Sequence, residues 1–209
     1  MVPGVAEIPR DSALYPSALR SYFDNRPPKL WYKGEPSILA GKVLGILSAR
    51  KIEPDLALKT SELLRQLDPL GATFISGWHS PLEEEALRIL LSRSAHIIFC
   101  LAKSLNKFSP EVAVENLVSQ GRGLLLTHCS PNAKRISRDA SIRRNQLVIG
   151  LSKALLVLSG PQGSASFKLA KLALNSGKTV FAVQHPMNRS LLALGALPAS
   201  GETIQRVFQ

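Results

Sequence analysis

ALLVLSGPQGSASFKLAKLALNSGKTVFAV, residues 154–183, is a strand, a turn, a helix and a strand in succession. An apolar run over 154–159 stops at a turn of small residues, Gly160 to Ser166. A helix is expected over 165–175 and a second apolar run, of strand type, over 178–183. Two strands joined by a helix of this length pair in parallel through a right-handed crossover. Runs so little interrupted by polar residues suit strands covered by helices on both faces.

The same alternation extends toward the N-terminus. Strands are expected at 43–47, 72–76, 95–101 and 123–127. Between the first two, residues 54–68 carry Leu56, Leu63, Leu64 and Leu67 at helical spacing, with Pro54 suited to a first helical turn. Ser80-Pro81-Leu82-Glu83 is a capping box that opens a helix to about Arg93. Further helices are expected over 110–119, with Ser109 as cap and Gly121 as stop, and over 138–151. The pattern predicts an α/β chain with an open, mainly parallel sheet of about six or more strands and helices on both faces. Residues 1–42, rich in Pro, read as an irregular arm pinned by Tyr15, Trp31 and Tyr32 and packed on a core of residues 43–209. The tail 186–209 is short and mixed.

Composition narrows the function classes. Hydrophobic residues make up 45% and charged residues 20%, the profile of a packed domain rather than a disordered chain. No apolar run reaches the ~18 residues of a membrane span. The N-terminus shows neither a basic nor an apolar leader region, so a cytoplasmic location is expected. Cys100 and Cys129 read as reduced thiols in or beside apolar runs. Charge is uneven: residues 101–209 hold 14 Lys and Arg against only Glu111, Glu115, Asp139 and Glu202. Residues 1–100 are nearly balanced. Such asymmetry, placed beside expected loop ends, points to a polyanionic partner, because each phosphate neutralised releases counterions.

In open parallel sheets, ligands sit at the carboxyl ends of the strands. The first strand is followed by Ser48, Ala49, Arg50 and Lys51, and the second by Gly77, Trp78 and His79. His128 and Cys129 follow the fourth, and the basic stretch 134–144 comes soon after. Gly160 to Ser166 follows the fifth. Its backbone N–H groups, helix dipole and the Ser164 and Ser166 hydroxyls suit a phosphate cradle. A purely structural turn favours the same residues, and the sequence does not choose between the two. A Walker lysine and a full Gly-x-Gly-x-x-Gly are both missing. The stretch 134–144 is the stronger candidate. Lys134, Arg135, Arg138, Arg143 and Arg144 read as opening a helix, where the dipole disfavours cations unless an anion is bound. Asn145 adds an amide donor.

Three histidines, His79, His128 and His185, fall at strand ends. They lack the close, regular spacing of a zinc site and no acidic partner is expected beside them, so no metal and no cofactor is expected. Glu83, Glu84 and Glu85 open a helix, where their effect on the dipole explains them.

Taken together, these segments resemble the DprA/Smf family of DNA-processing proteins, from about Tyr15 to Phe208. The resemblance begins with Tyr15-Pro16, Leu19 and the segment Arg26-Pro27-Pro28-Lys29-Leu30-Trp31-Tyr32-Lys33-Gly34. It continues through Leu44 to Arg50, Ser76-Gly77, Arg144-Asn145-Gln146 and onward to Ser152, Gly163-Ser164, Val180 to Val183, and Asn188 to Ala196. It implies a Rossmann-like domain that binds single-stranded DNA at its strand-end pocket, forms a homodimer and has the RecA recombinase as partner. By motif match, Arg50, Arg144, Asn145, Gly163 and Ser164 would line that pocket. Ser48, Lys51, Gly77 and Arg143 join them from the loop census, and no residue is assigned a catalytic role. The sequence departs from the family where Ala49 replaces a Gly, where Pro81-Leu82-Glu83 stands for Gly-Ile-Asp, and where Gln146 replaces an Arg. No winged-helix segment of the kind many members carry is found in the 209 residues, which is expected of a short, divergent branch.

LOG-type nucleotide phosphoribohydrolases, built on a similar sheet, supply an enzyme alternative. They carry a Pro-Gly-Gly-x-Gly-Thr loop and a catalytic Glu, whereas the loop here is Gly160 to Ser166 with no Glu in the following helix. A non-catalytic nucleotide sensor using the same pocket is a third reading. Arg50 and Arg144 are expected to be exposed, to open toward one crevice, and to be replaceable with little loss of stability.

Overall fold

The computed structural model describes residues 4–23, 26–67, 72–133 and 137–208. Nine strands form one sheet: β1 (Ala6–Ile8), β2 (Leu30–Gly34), β3 (Val43–Ser48), β4 (Thr73–Ser76), β5 (His96–Leu101), β6 (Gly123–Thr127), β7 (Ala154–Ser159), β8 (Thr179–Ala182) and β9 (Leu197–Pro198). Their spatial order is β1-β2-β6-β5-β4-β3-β7-β8-β9. All neighbouring pairs from β6 to β9 are parallel, while β1–β2 and β2–β6 are antiparallel. This is the Rossmann-like α/β fold expected from the alternation. From β3 the chain winds outward through β4 and β5 to β6, then returns to lay β7 on the other side of β3. That reversal is the topological switch point, the place where open α/β sheets bind their ligands.

Helices α1 (Ser17–Tyr22), α2 (Pro54–Gln66), α3 (Pro81–Ser92), α4 (Val112–Ser119), α5 (Arg138–Leu151), α6 (Ala165–Asn175), α7 (Arg189–Ala193) and α8 (Gly201–Phe208) cover both faces. Successive strand residues point to opposite faces, so each strand feeds two cores. Leu44, Ile46, Leu156 and Leu158 pack with Leu56, Leu64, Leu82 and Leu90 of α2 and α3. Leu47, Leu155 and Val157 pack with Leu19, Leu147, Val148 and Ala170 of α1, α5 and α6. Each such side chain contributes roughly 1.5–3 kcal/mol of burial. A polar residue on either face would forfeit that, which is why the strands read as continuous apolar runs.

Three expectations change. The segment read as an irregular arm supplies two strands and a helix: β2 pairs with β6 in the register Trp31↔Thr127, and β1 pairs with β2. An unpaired β6 edge leaves N–H and C=O groups open, and the arm satisfies them. Its Pro residues and mixed polarity hide that role in the sequence. Tyr15 is buried and its hydroxyl donates to the Pro28 carbonyl (2.7 Å). Second, α4 starts at Val112 behind Glu111, which makes no side-chain cap, so Ser109 is not the cap. Third, Arg143 and Arg144 lie in the second turn of α5, beyond the reach of the N-terminal dipole. Of the cations expected there, Arg138 stands in the first turn, beside Asp139 and behind the Ser137 cap. Lys134 and Arg135 lie outside the described residues. The dipole argument for an anion therefore fails for Arg143 and Arg144.

Candidate functional site

At the carboxyl end of β4, the Gly77 backbone comes close to a side chain from another layer. A Cβ built on Gly77 would overlap Arg144 Nη1 and lie 2.7 Å from both Arg144 Cζ and His79 Nδ1. Helix α5 thus delivers the Arg144 guanidinium into space left open by a glycine 67 positions earlier in the chain. Arg144 is 8% exposed, so it is buried and not an exposed loop arginine. Its Nε donates to Asn145 Oδ1 (2.8 Å), and no carboxylate pairs with it among the described residues. Burial of an unpaired guanidinium is costly, and an anion at this place would relieve the cost.

Beside it, Glu83 ties two strand ends together. Its carboxylate is buried and accepts from the backbone N–H groups of Ser48 (3.0 Å), His79 (3.1 Å) and Ser80 (3.3 Å). His79 Nδ1 lies 3.3 Å away. Burial pushes the Glu83 carboxyl upward, but His79 and the backbone donors outweigh it and hold it below its ordinary value. The capping box predicted at Ser80 is present. Its reach to Ser48, 35 positions away, is a tertiary contact that the box alone does not announce. The reading of Glu83 as a helix-opening residue only is thereby corrected.

The β3 and β7 ends are laced together. Ala49 N–H donates to the Ser159 carbonyl (2.7 Å), and Ser159 Oγ donates to the Lys51 carbonyl (3.3 Å). Ser166 Oγ donates to the Ser159 carbonyl (2.8 Å) and shares a hydrogen bond with Ser164 Oγ (3.0 Å). Ser164 also caps α6 by accepting from Phe167 N–H. Gly163, at φ 87°, makes the turn. The structural role of the Gly160–Ser166 turn is therefore complete in itself. Asn188 latches the next strand: it accepts from Gly160 N–H (2.7 Å) and donates to the Leu158 (3.0 Å) and Val183 (2.8 Å) carbonyls.

The expected residues separate by location. Gly77, Arg144 and Asn145 meet directly, and Ser48 joins them through Glu83. Arg50 and Lys51 are exposed on the loop after β3, where Lys51 pairs with Glu53 (3.3 Å). Arg143 is exposed, with its guanidinium over the Phe23 ring (5.1 Å), and so is directed to the N-terminal segment. Gly163 and Ser164 stand across the switch point.

All three strand-end histidines are where expected, but two have acidic partners that the sequence reading does not assign them, one of them only four positions away. His79 has Glu83, and His185 Nε2 lies 2.8 Å from Asp55 Oδ2 of α2. His185 Nδ1 accepts from Met187 N–H, so both its ring nitrogens are occupied. His128 has a buried Nδ1 without a partner, and its Nε2 is 3.6 Å from Cys129 Sγ. Burial, and then the charges of Arg143 and Arg144, push the His128 pKa down to about 4. Burial also pushes the Cys100 thiol up to about 12, against the opposing effect of Arg144.

The family model for DNA recombination-mediator protein A matches residues 7–197. Protein Smf of Borreliella burgdorferi is 30% identical over 177 residues, covering 81% of this chain and 54% of its own length. The chain spans about half the length of the curated relatives it matches. The crystal structure of DNA processing protein A from Streptococcus pneumoniae shares the fold at a TM-score of 0.82 with 21% identity, over 98% of this chain and 74% of that one. The Helicobacter pylori protein, whose structure was described for its single-stranded DNA binding mode, superposes with a TM-score of 0.75 and 22% identity over 98% and 94%. With a family match running from β1 to β9 across every strand-end loop described above, this chain belongs to the DNA recombination-mediator protein A family, the DprA/Smf proteins.

Proposed function

We propose that the chain binds single-stranded DNA by its phosphates in the crevice at the carboxyl ends of β3, β4 and β7, as a DNA-processing and recombination-mediator protein without catalysis of its own. One observation carries this reading: the buried Arg144 guanidinium at Gly77, with no carboxylate pairing with it among the described residues. A phosphate oxygen is the partner for which a guanidinium fork is shaped. The excess charge of residues 101–209 supplies the longer-range attraction. Family membership adds support, as does the single-stranded DNA binding named for the Helicobacter pylori relative. Homodimer formation, a cytoplasmic setting and RecA as partner belong to the same proposal and rest on family membership alone. No helix among the described residues is long and apolar enough to cross a membrane.

The phosphoribohydrolase alternative needs a carboxylate free to face a sugar. Of the carboxylates near these strand ends, Glu83 spends its oxygens on three backbone donors and His79, Glu53 pairs with Lys51 and Asp55 with His185.

The test is titration of labelled single- and double-stranded oligonucleotides at several salt concentrations. Single strands are expected to bind without strong sequence preference and with affinity falling steeply as salt rises. Binding that ignores salt, or is absent at low salt, overturns the proposal. Release of free base from a nucleoside monophosphate, abolished by substitution at the crevice, would establish the enzyme instead.

A further inference from the structure

The loop after β4 is held in a conformation that local preference does not favour. Trp78 has φ 51°, the left-handed region that a bulky residue rarely enters. It is kept there by burial and by its indole N–H, which donates to the Ile98 carbonyl (3.0 Å). Strain of this kind persists only where the surroundings over-determine it, and it gathers at functional sites. Its consequence here is the placement of the next residue, His79. With Trp78 turned into the core, the His79 ring emerges beside the Arg144 guanidinium, its side chain 47% exposed. Glu83 anchors Nδ1, and Nε2 has no partner among the described residues. His185 and His128 are not equivalent, since one has both nitrogens engaged and the other has a buried Nδ1.

We propose that His79 is a ligand for the same DNA phosphate that Arg144 holds, engaged in its protonated form, so that DNA binding takes up a proton. This rests on the phosphate-binding reading above. A histidine whose Nδ1–H donates to a carboxylate presents Nε2 as a bare acceptor when neutral, which repels a phosphate oxygen. Protonation turns Nε2–H into a charge-assisted donor. The charged groups around the ring pull in opposite directions. Glu83 of α3 favours the imidazolium, and Arg144 of α5 opposes it. The loop after β3, tied to the same carboxylate through Ser48, carries the exposed Arg50 and Lys51, the latter paired with Glu53. From the end of β6 comes His128, held neutral by its low pKa. An incoming phosphate adds negative charge to this balance and tips it toward protonation.

The experiment measures the affinity of the whole chain for an oligothymidylate of about 16 nucleotides at constant ionic strength, between about pH 8 and pH 5.5, where histidine changes charge. The wild type is expected to bind about five- to tenfold tighter at the acid end. His79→Gln should match it at the alkaline end and show little further gain. His79→Lys, a permanent cation, should bind tightly at both ends. If His79→Gln keeps the wild-type dependence on pH while both bind, this proposal is wrong and the DNA reading stands. If the wild type binds at neither pH, both are wrong.

Discussion

At Gly77 a single missing methyl group makes room for the guanidinium on which the site depends. Its φ lies outside the left-handed region, so an L-residue is tolerated by the backbone. Gly77→Ala should therefore displace two flexible side chains, Arg144 and His79, rather than the fold. Single-stranded DNA affinity is expected to fall about tenfold, as for Arg144→Ala, and the double variant should lose little more because both act on one contact. Unchanged affinity in Gly77→Ala would mean that Arg144 binds nothing from this position. Arg144→Ala is also expected to leave the DNA-free protein at least as stable as the wild type, since it removes a buried guanidinium that no carboxylate pairs with among the described residues. His128 gives a second test at this scale. Its folded pKa, about 4, lies below the ordinary histidine value, so the folded state binds fewer protons than the unfolded chain between the two. Its stabilising effect is fully present above about pH 6.5 and is lost as pH falls through 4. Discounted for partial exposure, the effect is about 1–2 kcal/mol. Thermal unfolding of His128→Asn should decline less than that of the wild type from about pH 6.5 to pH 4. Parallel declines would refute the assignment.

Between elements, the site depends on ties that hold strand ends in register. Glu83 joins α3 to β3, and Asn188 joins the ends of β7 and β8 through three hydrogen bonds. Because Asn188 is fully buried, its removal leaves one N–H and two carbonyls unsatisfied. Asn188→Ala should cost about 2–4 kcal/mol, a fall of roughly 5–12 °C in unfolding midpoint for a chain of this size. Differential scanning calorimetry checks this, and a fall below about 2 °C would show that the latch contributes little.

For the whole molecule, the question is whether the basic half acts as a diffuse polycation or as a directed track. Arg50 is exposed beyond β3, and Lys171 is exposed on α6. Arg50→Ala is expected to reduce the slope of log affinity against log salt by about one unit and to leave stability nearly unchanged. Lys171→Ala should weaken binding less. Equal losses from the two would assign binding to surface charge in general and remove Arg50 from the crevice.

Strand and helix alternation was legible along the chain because its cues are local. Apolar runs mark strands covered on both faces, and the pattern at Ser80-Pro81-Leu82-Glu83 marks a helix start wherever it occurs. The strand-end loops, and with them Gly77, follow from that alternation, whereas Arg144 and Asn145 stand out through the basic stretch and the family resemblance. The strand character of Leu30–Gly34 did not, because it exists only against the open edge of β6. Nor did the partners of the histidines: Asp55 meets His185 across 130 positions, a pairing that no local spacing encodes. The burial of Arg144 is hidden in the sequence for the same reason. An arginine reads as a surface residue until packing places a glycine opposite it. Periodicity reports whether a residue is buried by its own element, whereas the choice of partner through space is made when the sheet reverses direction at β3 and β7.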